Sequence, residues 1–126
     1  MSLRVNELLS LRVHVEVHDD RAVVRLIGPI AAHGVGTLLG ALEQAEASRA
    51  REIVVDLRQV PILSSSGVSA LLIVANRLGP DRRLILARPC DMVRRVCEVT
   101  GLLRFVVLRD QLPSGLETRS EWADNP

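Results

Sequence analysis

The chain has 126 residues, enough for one domain that buries about two thirds of its unfolded surface without metals or disulfides. Hydrophobic residues make up 48% and charged residues 25%, the balance of an ordinary globular protein rather than of a disordered or membrane-spanning one. All sixteen basic residues are arginine, which removes Schiff-base chemistry and a P-loop lysine, and a net charge of +1 with only Phe105 and Trp122 as aromatics argues against nucleic acid as a partner.

Residues 1–10 read as an N-terminal extension. The start, MSLRVNELLSLRVHVEV, lacks the apolar stretch of a signal peptide, and no window reaches the ~20 apolar residues of a membrane span, so a cytoplasmic location without membrane insertion is expected. RVHVEV (12–17) and RAVVRLI (21–27) are β-branched and flank His18-Asp19-Asp20, which predicts a hairpin. Val13, Val15 and Val17 alternate with His14 and Glu16, the period of a strand with one wet face. GPIAAHGVG is a loop, and Leu38, Leu39, Leu42 and Ala45 then take helical spacing over about 35–47. EIVVDL (52–57) is a continuous apolar run with charges near its ends, the pattern of a central strand buried on both faces. GVSALLIVANRLG follows as a helix starting near Ser66, with Val68, Leu71, Leu72, Ala75 and Leu78 facing inward and Gly79-Pro80 closing it. RRLILA (82–87) is a strand, and PCDMVRRVCEVTG is a helix with Asp91 in its first turn and Gly101 at its stop. FVVL (105–108) is a last short strand, and from residue 111 the chain turns polar and reads as a mobile tail.

The order β-β-α-β-α-β-α-β calls for an α/β fold, a mixed sheet with helices packed on it, because parallel strands need helical crossovers. Cys90 and Cys97, about two helical turns apart, are beyond disulfide reach and read as buried, reduced packing residues. A further reading is a small-molecule binding or redox-sensing domain that uses the sheet-edge loop or these two cysteines; cysteine use would show as oxidant-dependent dimerisation that Cys97→Ser abolishes.

Ser64, Ser65 and Ser66, in ILSSSGV, put three hydroxyls between a buried strand and a helix. Capping the helix uses one of them, worth ~1 kcal/mol, and Ser66 is the best placed for it. A phosphate on one of the three would sit against unpaired backbone N–H groups at the positive end of the helix dipole, while its charge of about −2 would be felt by a partner docking over the loop. Nucleophilic catalysis has less to support it: the triplet does not match G-x-S-x-G, and His14, His18 and His33 lie in the hairpin and the next loop. GVGTLLG (34–40) lacks the third glycine of a dinucleotide fingerprint, and the pairs Arg82-Arg83 and Arg94-Arg95 read as solvated faces or salt-bridge partners. On the helical wheel Ser69, Ile73, Asn76 and Arg77 lie opposite the core stripe, so an exposed Ile73 beside the serines makes a docking surface with an apolar centre.

Over about residues 11–110 the sequence resembles the STAS domain family, named for sulfate transporters and anti-sigma factor antagonists. VVDLRQVPILSSSGVSALLIVANRL is similar to that family's buried strand, short loop and D-S-S-G-hydrophobic helix start; ARPCDMVRRVCEVTGL resembles its next strand-to-helix segment, and VVRLIGPI its early strand and turn. The resemblance implies an anti-sigma factor antagonist of bacterial partner switching, cytoplasmic, without a cofactor and not an enzyme. Such a domain binds an anti-sigma factor that is also a serine kinase, so ATP belongs to the partner; phosphorylation breaks the complex and a phosphatase resets it. Carried over by position, the acceptor is Ser65, with Ser64 and Ser66 as alternates, and the partner surface takes in Ser64, Ser65, Ser66, Gly67, Ser69, Ile73 and Asn76. The chain is expected as a monomer or weak homodimer. Arginine for every lysine together with frequent alanine suits a GC-rich bacterial genome. The family usually carries aspartate where this chain has Ser64, and again where it has Ala31 after Gly28-Pro29-Ile30. A second reading keeps the fold without the switch: a constitutive interaction subunit of a signalling complex or a transporter accessory.

Overall fold

The computed structural model describes residues 10–113 and Leu116. β1 (Arg12–His18) and β2 (Arg21–Ile27) form the expected hairpin, turning through Asp19 with its left-handed φ of 53°. A short 3-10 turn (Ala32–Gly34) leads into α1 (Val35–Ala47), then come β3 (Glu52–Gln59), α2 (Ser65–Leu78), β4 (Arg83–Ala87), α3 (Asp91–Val99), a second 3-10 turn (Leu102–Arg104) and β5 (Val107–Arg109). The strands lie in chain order, β1-β2-β3-β4-β5, with β1 antiparallel to β2 and the other pairs parallel. β3 is therefore the middle strand, as its unbroken apolar run predicts, and Ile53 through Leu57 are all buried.

Strand side chains alternate between faces. Ala22, Val24 and Leu26 of β2, Ile53, Val55 and Leu57 of β3, and Leu84 and Leu86 of β4 pack with all three helices in one continuous core. Each fully buried leucine there contributes roughly 1.5–3 kcal/mol relative to exposure. Val23, Val54, Ile85 and Ala87 point to the other face, where they pack with Leu116, Leu112 and Val107. That burial of Leu116 falls within the segment read as a mobile tail; residues 117–126 lie outside the described residues, as do 1–9 of the N-terminal extension.

Several boundaries differ from expectation. β3 runs two residues past Leu57, because it continues to pair with the β2 exit after a register shift. α2 buries Gly67, Val68, Ala70, Leu71, Val74 and Leu78, while Leu72 and Ala75 are only partly buried. Its inner stripe is centred a residue away from the expected one because the helix packs against α1 as well as the sheet. Val17 is exposed, so the inward valines of β1 are Val13 and Val15 alone. β5 begins at Val107, leaving Phe105 exposed in the turn before it. Cys97 is buried as expected, and burial pushes its thiol up to about 11. Cys90 is exposed instead, since it is the residue that precedes α3 rather than one within its core stripe.

Candidate functional site

The three serines sit where β3 hands the chain to α2, and the structure separates them by role. Ser64 is the N-cap: its backbone is extended (φ −76°, ψ 166°) and its Oγ accepts a hydrogen bond from the Gly67 amide at 3.1 Å. The cap thus falls on Ser64 rather than the expected Ser66, and the helix starts at Ser65, because an N-cap side chain reaches an amide two or three residues ahead. Ser66 Oγ is held 3.1 Å from Ser64 Oγ. The Ser65 side chain is exposed and makes no hydrogen bond with a described residue.

Gly67 is fixed by packing. A Cβ there would lie 2.6 Å from Ile30 Cγ2 and 2.8 Å from Leu63 Cδ1, far inside the 3.5–4.0 Å at which carbon atoms meet comfortably. Ile30 and Leu63 form a parallel bridge between the exits of β2 and β3. The Ile30 amide donates to the Ile62 carbonyl at 2.9 Å and the Ser64 amide to the Ile30 carbonyl at 2.8 Å. The helix start is therefore pinned to the β2 exit, and Ala31 follows directly on the residue that holds Ser64. Cys90 adds a weaker tie from the β4 side, its S–H aimed at the Val60 carbonyl at 3.5 Å.

Of the expected partner surface, Ser65, Ser69, Ile73 and Asn76 are all exposed and fall within about 80° of arc on α2. Ile73 leaves half its surface to solvent, which gives the stripe an apolar component at its middle, and the loop residue Ile62, which precedes the helix, is equally exposed. Ser64 and Ser66 are partly exposed, and Gly67 is buried. Arg77 lies at the margin of the stripe but is engaged by Glu46 of α1 at 2.5 Å.

Among the described residues no histidine is hydrogen-bonded to Ser64, Ser65 or Ser66. His14 and His18 instead flank Glu16 on β1, each Nε2 3.0 Å from one of its carboxylate oxygens. Behind Glu16 lies a set of charges that the sequence reading missed. Arg25, 2% exposed, reaches Asp56, 4% exposed, at 3.2 Å, and Arg88 meets Asp56 through both Nε (3.2 Å) and Nη2 (2.6 Å). Arg25 also lies 3.7 Å from Glu16. The signal was present: Arg25 inside AVVRLI and Asp56 inside IVVDL are opposite charges within the apolar runs of two strands that turn out to be neighbours. Burial works against ionising Glu16, but His18, Arg25 and His14 outweigh it and hold its carboxyl below the usual value.

The strand, loop and capped helix, in the order read from the sequence, match the family description STAS domain over residues 12–115. The chain belongs to the STAS domain family. Its structure is similar to that of an anti-sigma factor antagonist from Mycobacterium paratuberculosis, with a TM-score of 0.75 and 27% identity over 81% of this chain and 87% of that one. The anti-sigma factor antagonist SpoIIAA in its unphosphorylated form superimposes with a TM-score of 0.65 and 25% identity over 90% of this chain and 94% of that one. The Bacillus cell fate determinant SpoIIAA in the phosphorylated form shares the fold, with a TM-score of 0.60 and 24% identity over 90% and 97% of the two chains. As a member of this family the STAS domain here is a regulatory binding domain, not an enzyme. Among its described residues no helix is long and apolar enough to cross a membrane.

Proposed function

We propose that this STAS domain is a bacterial, cytoplasmic anti-sigma factor antagonist that binds an anti-sigma factor through the exposed stripe of α2, and that phosphorylation of Ser65 by that partner weakens the complex. The observation that carries the reading is the division of labour among the serines: Ser64 and Ser66 are tied to each other and to the helix start, whereas the Ser65 hydroxyl faces solvent at the head of Ser69, Ile73 and Asn76. Ser65 is the first helical residue, so a phosphate there meets the unpaired N–H groups of the first turn and the fold tolerates it. Its charge of about −2 then stands at the head of the stripe whose apolar member is Ile73, where a partner docked over that stripe would have to desolvate it. The similarity to SpoIIAA, a protein described in an unphosphorylated form, supports the same reading. A phosphatase is the second partner it calls for.

The test is a pull-down from extract of the native cell followed by intact-mass measurement, then reconstitution with the captured anti-sigma factor and ATP. The expected result is one added phosphate, abolished by Ser65→Ala, and a complex that Ser65→Glu disrupts. A second reading rests on Ser64 and Ala31, which leave the acceptor without an adjacent carboxylate, and on the apolar stripe, which needs no phosphate to bind. On that reading the chain is a constitutive interaction subunit, and Ser65→Ala and Ser65→Glu bind the partner equally well.

A further inference from the structure

β2 and β3 run in register from Arg21 opposite Glu52 to Arg25 opposite Asp56, and then fall out of step: the next pair is Ile27 opposite Gln59. β3 spends one extra residue between these two pairs, a bulge placed where the strand leaves the sheet. Everything downstream depends on that extra residue. With it, Gly28 donates to the Gln59 carbonyl at 3.0 Å, Ile30 to the Ile62 carbonyl and Ser64 to the Ile30 carbonyl, and the N-cap of α2 arrives beside the β2 exit. A slip of one residue would turn each of these side chains to the other face.

The backbone inside the bulge lies beyond the last pair between β3 and β4, which is Asp56 opposite Ala87. Its Arg58 amide finds its acceptor in a side chain instead, Oδ1 of Asp56, at 3.2 Å. The same carboxylate is gripped from the neighbouring strands. Arg25 donates to Oδ2, and Arg88 donates to both oxygens from a left-handed backbone position (φ 57°) that its own amide holds by bonding the Arg109 carbonyl at 2.8 Å. A planar guanidinium that meets both oxygens fixes the plane of a carboxylate as well as its position. Asp56 Oδ1 is thereby aimed at Arg58 by groups that take no part in the bulge.

The geometry points to Asp56 as a positioning residue for the switch: its carboxylate, oriented by Arg25 and Arg88, closes the bulge through the Arg58 amide and so sets the register in which residues 60–64 reach Ile30 and present Ser65. This deepens the proposed function, and it rests on that reading only for the role of Ser65. The experiment therefore uses no kinase. In the isotopically labelled full chain, a scalar coupling between the Arg58 amide nitrogen and the Asp56 carboxylate carbon reports the bond directly, without any variant, and its absence would overturn the assignment.

Amide exchange in two variants supplies the rest. Asp56→Asn keeps an oxygen that can accept from Arg58 but removes the charge that pairs with the arginines; Asp56→Ala removes both. Both variants melt at a lower temperature than the parent. In Asp56→Asn the amides of Gly28, Ile30 and Ser64 keep their protection relative to those of Val24 and Val55 in the flanking strands. In Asp56→Ala those three amides exchange roughly tenfold faster relative to the same references, the effect of losing about one hydrogen bond. Equal loop opening in the two variants, or loop amides that follow the strands in both, would show that Asp56 contributes stability alone and would overturn the proposal.

Discussion

Replacing Gly67 by alanine tests whether the helix start is pinned against the β2 exit. In an ordinary helix interior the change is favourable by about 1 kcal/mol, because alanine has the higher helix propensity. Gly40, in α1, is such a position: a Cβ there meets nothing within 4 Å. At Gly67 the new carbon falls 2.6 Å from Ile30 Cγ2 and 2.8 Å from Leu63 Cδ1, so about 1 Å of separation must be found on two sides. Neither neighbour can yield freely, since Ile30 is fully buried, Leu63 is 4% exposed, and the two are bridged to each other through their backbones. Overpacking of this kind costs roughly 1–3 kcal/mol, which after the propensity gain leaves a net loss of about 1 kcal/mol. Urea and thermal unfolding followed by far-ultraviolet circular dichroism should place Gly67→Ala below the parent by about 4 °C and Gly40→Ala above it by a similar amount. Equal stabilisation by both substitutions would refute the argument, because it would mean that α2 does not approach the Ile30–Leu63 bridge closely in solution.

The remaining predictions concern thiols, acid and charge. Cys90 should react with a thiol reagent in the native protein and Cys97 only on unfolding, because Cys90 is exposed whereas burial keeps the Cys97 thiol protonated at neutral pH; two fast native thiols would contradict the burial. Oxidant-dependent dimerisation, if it occurs, should accordingly be abolished by Cys90→Ser rather than by Cys97→Ser. Glu16 and Glu52 both ionise below the usual 4.5: burial opposes ionisation in each, but His18, Arg25 and His14 outweigh it for the first and Arg83 and Arg21 for the second. In the window below 4.5 the unfolded chain then binds more protons than the folded one, so this stability is complete above 4.5 and is lost as pH falls through the lowered folded values. Unfolding free energies measured from pH 6 down to pH 3 should therefore fall less steeply for Glu16→Gln/Glu52→Gln than for the parent, and parallel curves would refute the assignment. Ser65→Glu puts a negative charge in the first turn of α2 and should stabilise the parent by about 0.3–1 kcal/mol, but less in a Ser64→Asp background, where two carboxylates ~6 Å apart repel by about 0.7 kcal/mol in water. A double-mutant cycle in low salt reads that coupling, and a value of zero would show that residue 64 does not influence charge at residue 65.

Strand and helix order was legible because each element carries its own period. The short β-branched run from Glu52 to Leu57 has the pattern of a strand buried on both faces, and in the α/β order that places it mid-sheet. Ends were less legible, because they depend on contacts that periodicity does not contain. The extension of β3 to Gln59 depends on a register shift against β2, and the inner stripe of α2 on how the helix divides its contacts between the sheet and α1. The exposed face of α2 was readable from the wheel, since solvent is what remains once the core stripe is assigned: Ser69, Ile73, Asn76 and Arg77 are all exposed.

The serine triplet shows where one-dimensional reasoning reaches its limit. Capping preference says that a serine will hold the helix start but does not say which one, because Ser64, Ser65 and Ser66 are chemically identical and each is followed by a possible helix. Tertiary contact decides among them. The Ile30 carbonyl takes the Ser64 amide, which fixes the last extended residue at 64, and the absence of a Cβ at Gly67 lets the first turn close over Leu63. Once Ser64 is the cap, its Oγ holds the Gly67 amide and stands beside Ser66, and the hydroxyl left outside this set is that of Ser65. A carboxylate at position 64 would cap the helix equally well, since aspartate and serine rank together as N-caps. The serine here therefore keeps the structural half of that position and gives up only its charge, so the presentation of Ser65 does not depend on an acid beside it.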